Sequence, residues 1–299
     1  MNVRANKVLL LASSLATLAL LGATGEALSV RDTRASLESL LENVRLRGLP
    51  TTADFHHLDS DAGVSAVLDA LVDNDVLTRF DEGIEPVYII GDDQQLAAAY
   101  YRNTIVHFFV NRAIAELALL HASEGRRDAG ESAEVVARFW GEVMRLRDLL
   151  KFEFFFPEKD TFRDEIRQEL EHTVESWESR LADGSLAPEE LVRRSRPFSA
   201  HRALRPFFES YRVVADQLAR LDPANEFDEK HFLALCIGVG RQYKLQKRIH
   251  AADSISKVLF HTALRLARNR QLLSKGESGS TAARLAFAHE IHDVLRRVD

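Results

Sequence analysis

Apolar positions at helical spacing run through most of the chain, and only one short stretch alternates as strands do. Val8 to Ala23 is apolar apart from a few Ser, Thr and Gly. Ser29 to Arg47 sets Leu37, Leu40, Leu41 and Leu46 at helical intervals and closes on Gly48-Leu49-Pro50, a stop signal. Asp61 to Leu71 turns Val64, Val67, Leu68 and Leu71 to one side. Val76–Phe80 and Val87–Ile90 are β-rich and joined through Asp81-Glu82-Gly83, which predicts a hairpin. Asp93 to Leu120 holds neither Gly nor Pro and is apolar on most of its circumference, which predicts one long buried helix.

The pattern beyond is helical throughout: Val135–Phe156, Thr161–Arg180, Phe198–Leu221, Asp228–Gln246, Asp253–Leu273 and Ala282–Val298. Ala122–Glu134, Ala182–Pro188 and Ser274–Thr281 read as an exposed loop, a linker and a flexible break. The expected fold is mainly α. A small winged-helix-like subdomain of three helices and a β-hairpin occupies residues 1–91, and a multi-helical domain occupies 92–299. The third helix carries Asp61, Asp69 and Asp73 and no basic residue, so it does not suit a DNA groove.

Composition narrows the classes. A hydrophobic content of 46% over 299 residues is ample for a core, and a formal charge of −6 argues against nucleic acid as the general partner. The single cysteine, Cys236, excludes an intramolecular disulfide and a cysteine-rich metal site; its apolar neighbours make it a small core residue. Arg4 and Lys7 before the first apolar run give the outline of a secretory signal, against a core helix packed on the next one.

Several groups carry candidate chemistry. Tyr100, Asn103, His107 and Asn111 are spaced three, four and four, with Arg102 beside them, and form a polar line through the predicted buried helix. Two readings are open: an internal network with a neighbouring helix, or a ligand reached by Arg102 or His107. His56 and Asp61 have the spacing of a base and its orienting carboxylate, although Asp61 also stands where a helix N-cap is wanted. His289, His292 and Asp293 lack a legible further ligand for a metal, and an exposed terminal helix accounts for them. Neither a Gly-rich phosphate loop nor a Gly-x-Ser-x-Gly elbow occurs.

A basic patch runs through Arg241, Lys244, Lys247, Arg248, Lys257, Arg265, Arg268 and Arg270, with Asp253 the only acid between them. Lys257, His261, Arg265 and Arg268 share a helix face, which suits either anionic lipid headgroups or acidic neighbours on other helices. Phe152, Phe154, Phe155 and Phe156 read either as core or as a membrane-dipping edge.

Two blocks, Ala99-Tyr100-Tyr101-Arg102-Asn103-Thr104-Ile105-Val106-His107-Phe108-Phe109 and Leu149-Leu150-Lys151-Phe152-Glu153-Phe154-Phe155-Phe156, resemble the C-terminal region of the large bacterial glycerol-3-phosphate acyltransferases. That family is related to the mitochondrial glycerol-3-phosphate and peroxisomal dihydroxyacetone-phosphate enzymes. The resemblance extends from about Ala5 to the end and includes Arg47-Gly48-Leu49-Pro50 and Ala263-Leu264-Arg265-Leu266-Ala267-Arg268-Asn269-Arg270. It implies acyl transfer from a thioester to the sn-1 hydroxyl of glycerol 3-phosphate at the cytoplasmic face of a membrane, with no cofactor.

In such enzymes the catalytic motifs lie in a domain before this region. The His56/Asp61 spacing and Phe156-Pro157-Glu158 look like two of those motifs. However, Lys159 stands where the second has Gly, so the backbone freedom of that loop is lost. No catalytic, cofactor or metal residue is therefore assigned. The resemblance makes Val8–Ala23 an internal helix, and the expected partners are the missing catalytic domain, in cis or trans, and an anionic membrane surface. The chain is either a fragment or a separated module; the competing class is a cytoplasmic helical interaction protein without chemistry.

Overall fold

The computed structural model describes residues 9–23, 25–125, 132–195, 200–222, 226–274 and 280–298. The chain forms two compact units, Met1–Val110 with Arg196–Ala203, and Asn111–Ser195 with Leu204–Asp299. The fold is mainly α, with one small antiparallel sheet among the described residues.

In the first unit, helix α1 (Ala12–Leu21) is buried on nearly every side: Ser14, Leu15, Ala16, Thr17, Leu18 and Ala19 are all inaccessible to water. Two of its hydroxyls are answered, Thr17 donating to the Ser13 carbonyl one turn back at 2.8 Å and Ser14 meeting Thr104, far along the chain, at 3.0 Å. Strand β1 (Leu28–Ser29) leads into α2 (Val30–Leu46), where Ser29 and Asp32 form a reciprocal capping box. Gly48, at φ +57°, ends that helix by taking the left-handed conformation.

A 3-10 turn (Ala53–Asp59) and α3 (Asp61–Asp73) follow, then β2 (Thr78–Phe80) and β3 (Val87–Ile89). The expected hairpin is present, with Arg79 opposite Tyr88. The two-residue β1 adds a third strand on the other side of β3, giving the order β1-β3-β2. Helix α4 (Gln95–Ile105) then packs on α1, which also meets α2 and α3, so α1 is the centre of this unit.

The long helix expected over Asp93–Leu120 is two helices. A 3-10 turn at Val106–Phe108 separates α4 from α5 (Val110–Gly125). An unbroken helix would give the Phe108 carbonyl to the amide four residues on; here Arg47 Nη1 donates to it at 2.5 Å instead.

The second unit takes up the chain with α5, whose residues 113–119 are all buried. It continues through α6 (Ser132–Leu150), α7 (Lys159–Glu171), α8 (Trp177–Ala182) and α9 (Pro188–Arg194). Helix α6 stops at Leu150 and not Phe156, because the amides of Glu153 and Phe154 both close onto the Leu150 carbonyl. After α10 (Ala200–Ala203), which returns to α1, come α11 (Arg205–Arg220), α12 (Glu229–Leu245), α13 (Lys257–Asn269) and α14 (Thr281–Val298).

Helix α11 is the centre of this unit and packs on α12, α13 and α14. Helix α14 is not an exposed terminal helix: Phe287, Ile291, Val294 and Leu295 are buried. Arg297 on α14 donates to Glu142 on α6 at 2.8 Å, and Arg145 donates two further bonds of 2.6 Å to the same buried carboxylate. After α6, Glu153 sits under the Tyr211 hydroxyl at 3.2 Å. Burial pushes its carboxyl up to about 7, against smaller opposing effects of Tyr211 and Arg265.

Two measurements check this packing. A Cβ at Gly63 would lie 2.0 Å from the His57 carbonyl oxygen, a backbone atom of the preceding turn. Gly63→Ala should therefore cost about 1–3 kcal/mol, read as a lower urea midpoint; an unchanged midpoint would show that the turn moves freely. Glu153 binds a proton more tightly folded than unfolded, so its stabilising effect is complete below the unfolded carboxylate range and is lost as pH rises through about 7. Wild type should lose melting temperature between pH 5 and 7 relative to Glu153→Gln, by an amount equivalent to about 1–3 kcal/mol. Parallel pH profiles would remove that role.

Candidate functional site

The polar line lies differently from expectation. Leu96, Tyr100 and Asn103, spaced four and three, share one face of α4, and His107 follows in the 3-10 turn. All four are exposed, Leu96 at 65% and Tyr100 at 72%, so this is not a buried spine. The amphipathic split explains it: Ala98, Ala99, Arg102 and Ile105 form the inward side against α1, which leaves the opposite side to solvent. Asn111 lies beyond the break on α5 and donates to Glu165 at 2.9 Å.

Arg102 is the buried member of the group. It is 2% exposed, and its Nε and Nη2 donate to Asn103 Oδ1 at 3.2 and 2.8 Å. This fixes the orientation of the Asn103 amide, whose NH2 group is thereby directed away from the guanidinium. The His107 ring stacks on Phe108 with centroids 4.1 Å apart, and partial burial holds its pKa below the ordinary imidazole value. That shift favours the neutral imidazole, which offers one donor and one acceptor.

The second surface is the outer face of α13, where Lys257, Val258, His261, Arg265 and Arg268 are exposed. Its charge is partly neutralised. Arg268 pairs with Glu229 of α12, and His261 Nδ1 lies 3.0 Å from the same carboxylate, which the Arg268 bond holds below its usual pKa. Arg265 stacks on the Phe152 ring at 4.7 Å. Other members of the basic patch serve the fold: Arg270 pairs with Asp148 and Glu290, and Lys244 donates to the His250 carbonyl.

The phenylalanine block divides. Phe154 packs on Phe207 at 5.0 Å and Phe156 on Phe162 at 5.1 Å, whereas Phe155 is 96% exposed. Pro157 and Glu158 precede α7, with Glu158 at its N-cap position, and the Pro157 carbonyl accepts from Arg147 at 2.7 Å.

The dyad spacing does not assemble. His56 Nδ1 bonds the Ala53 carbonyl at 2.6 Å, and Asp61 pairs with Arg34 at 2.7 Å. Ser60, not Asp61, caps α3. Burial pushes the Cys236 thiol up to about 12, which makes it a poor nucleophile. Among the described residues no group of three or more His, Cys, Asp or Glu is placed to hold a metal ion.

One cluster was not legible in the sequence. Asp216 on α11 accepts from Tyr243 at 2.7 Å and meets His292 Nε2 at 2.7 Å, with Arg248 Nη2 at 3.6 Å. Arg248 also lies over the Tyr243 ring at 3.8 Å. These positions are separated by up to 76 residues, so no spacing signals them. The cluster answers one buried carboxylate with several donors, which is what burial of a charge demands.

The family model for the glycerol-3-phosphate acyltransferase C-terminal region matches residues 2–276. Proteins named acyltransferase plsB1, from Mycobacterium bovis and Mycobacterium tuberculosis, are 37% identical over 288 residues, 96% of this chain and 45% of theirs. The chain thus spans less than half the length of these curated relatives. With a match that runs through nearly all of its described helices, the chain belongs to the family of glycerol-3-phosphate acyltransferase C-terminal regions.

Proposed function

We propose that this chain acts as the C-terminal portion of a glycerol-3-phosphate 1-O-acyltransferase, supporting a catalytic domain and docking it peripherally on the cytoplasmic face of a membrane. In that reaction the sn-1 hydroxyl oxygen bonds to the acyl carbon, the thioester bond breaks, and the hydroxyl proton leaves with the thiol. The observation that carries the reading is the family match over residues 2–276. The candidate residues fit a supporting role. His56 and Asp61 are bound to other partners, and Cys236 is kept protonated by burial.

Membrane docking draws support from the exposed cations of α13. Lys257 and Arg265 point outward beside exposed Val258, and each such charge near an anionic surface contributes about 1 kcal/mol. No single helix among the described residues is long and apolar enough to cross a membrane. The peripheral reading rests on surface charge and apolar contact.

Incubated with glycerol 3-phosphate and an acyl thioester, the purified chain should release thiol at the background rate; robust transfer that vanishes in His56→Ala would overturn the supporting role. In sedimentation with vesicles, the chain should bind phosphatidylglycerol-containing membranes and not neutral phosphatidylcholine ones. Lys257→Glu with Arg265→Glu should lower binding by about tenfold or more, since two charges are reversed. Equal binding to both vesicle types removes the lipid reading.

A further inference from the structure

We propose that the exposed face of α4, with Leu96, Tyr100, Asn103 and the following His107, is the seat for the part of a glycerol-3-phosphate acyltransferase that this chain does not span. The inference rests on the supporting role above and assigns it to named residues.

The composition of the face identifies the class of partner. It presents one aliphatic side chain, one phenol, one amide and one imidazole, and no Lys, Arg, Asp or Glu among those four. A phosphate, a nucleic acid or an anionic headgroup would be met by cations, which are absent from this set. Protein interfaces, in contrast, are depleted in charge at their centre and enriched in tyrosine, which buries a large area at small entropic cost.

The geometry is also held ready. Tyr100 packs edge-on against Tyr101 with centroids 6.3 Å apart, and the buried Arg102 fixes the Asn103 amide oxygen. The His107 ring is stacked on Phe108, whose carbonyl is tied to Arg47. Side chains positioned before binding lose less freedom on binding. A large aliphatic and a large aromatic group left 65% and 72% exposed on one helix face are the apolar half of such a seat. The Asn103 NH2 group, the Tyr100 hydroxyl and the His107 imidazole supply the polar half.

The occupant follows from the lengths. The matched relatives extend over more than half their length beyond the region shared with this chain, and the shared part is by description a C-terminal region. A protein surface of the same polypeptide class is therefore the partner whose chemistry the face fits.

The test co-expresses the 299-residue chain with the tagged portion of the Mycobacterium tuberculosis relative outside the match, then measures the dissociation constant of the pair. Wild type should bind. Tyr100→Ala with Leu96→Ser should bind about tenfold more weakly at unchanged melting temperature, as loss of a central aromatic anchor requires. Phe155→Ser, an exposed aromatic change in the second unit, should bind as wild type does. If the α4 variant binds equally well, or Phe155→Ser weakens binding as much, this face is not the seat, while the supporting role stands. If wild type does not bind, the supporting role itself fails. If the chain alone forms a dimer that Tyr100→Ala dissolves, the face belongs to a second copy and the assignment is overturned.

Discussion

Two helices in this protein have almost no side left for water, α1 in the first unit and α11 in the second. Each gains from burial, at roughly 1.5–3 kcal/mol for each large aliphatic or aromatic side chain removed from water, only where other elements cover it. In the first unit α2, α3 and α4 supply the cover, and α10 completes it from late in the chain. In the second, α12, α13 and α14 surround α11. Each unit is thus organised around a helix that could not stand alone.

That degree of burial sets strict terms for polar groups. Glu209 on α11 accepts the His250 and Ala251 amides at 2.7 and 2.8 Å, which pins the turn before α13. Asp216 gathers Tyr243 and His292 from two other helices. Glu142 takes donors from Arg145 and Arg297 and joins α6 to α14. Such pairs return little net stability, because desolvation offsets much of the Coulomb attraction. Their effect is on arrangement: sliding any of these helices by one residue would leave a buried charge unanswered, at a cost of several kcal/mol.

The two surfaces singled out differ because the helices that carry them bury different sides. Helix α4 turns its small residues and Arg102 inward, so neutral aromatic and amide groups remain outside. Helix α13 buries Phe260, Ala263, Leu264 and Ala267 and leaves Lys257, Arg265 and Arg268 outside. A neutral face suits a protein partner, and a cationic face suits an anionic layer. The proposed division of labour between them follows from that contrast.

Local chemistry was enough to place most helices, the hairpin and the stop at Gly48, because apolar spacing, capping residues and turn residues act within a few positions. It was also enough, through the Tyr-Tyr-Arg-Asn and Phe-rich blocks, to indicate the family. It failed where the deciding partner is remote. The break at Val106–Phe108 involves a bond from Arg47, and periodicity within 93–120 contains no trace of that residue. The inward side of α4 is chosen by α1, which turned the expected buried line into an exposed one. Strand β1 is two residues long and exists only because β3 pairs with it. The Asp216 cluster draws on residues brought together by three helices packed in space. Propensity and pattern are properties of neighbours along the chain, whereas burial, pairing and the choice of exposed face depend on elements far away in sequence.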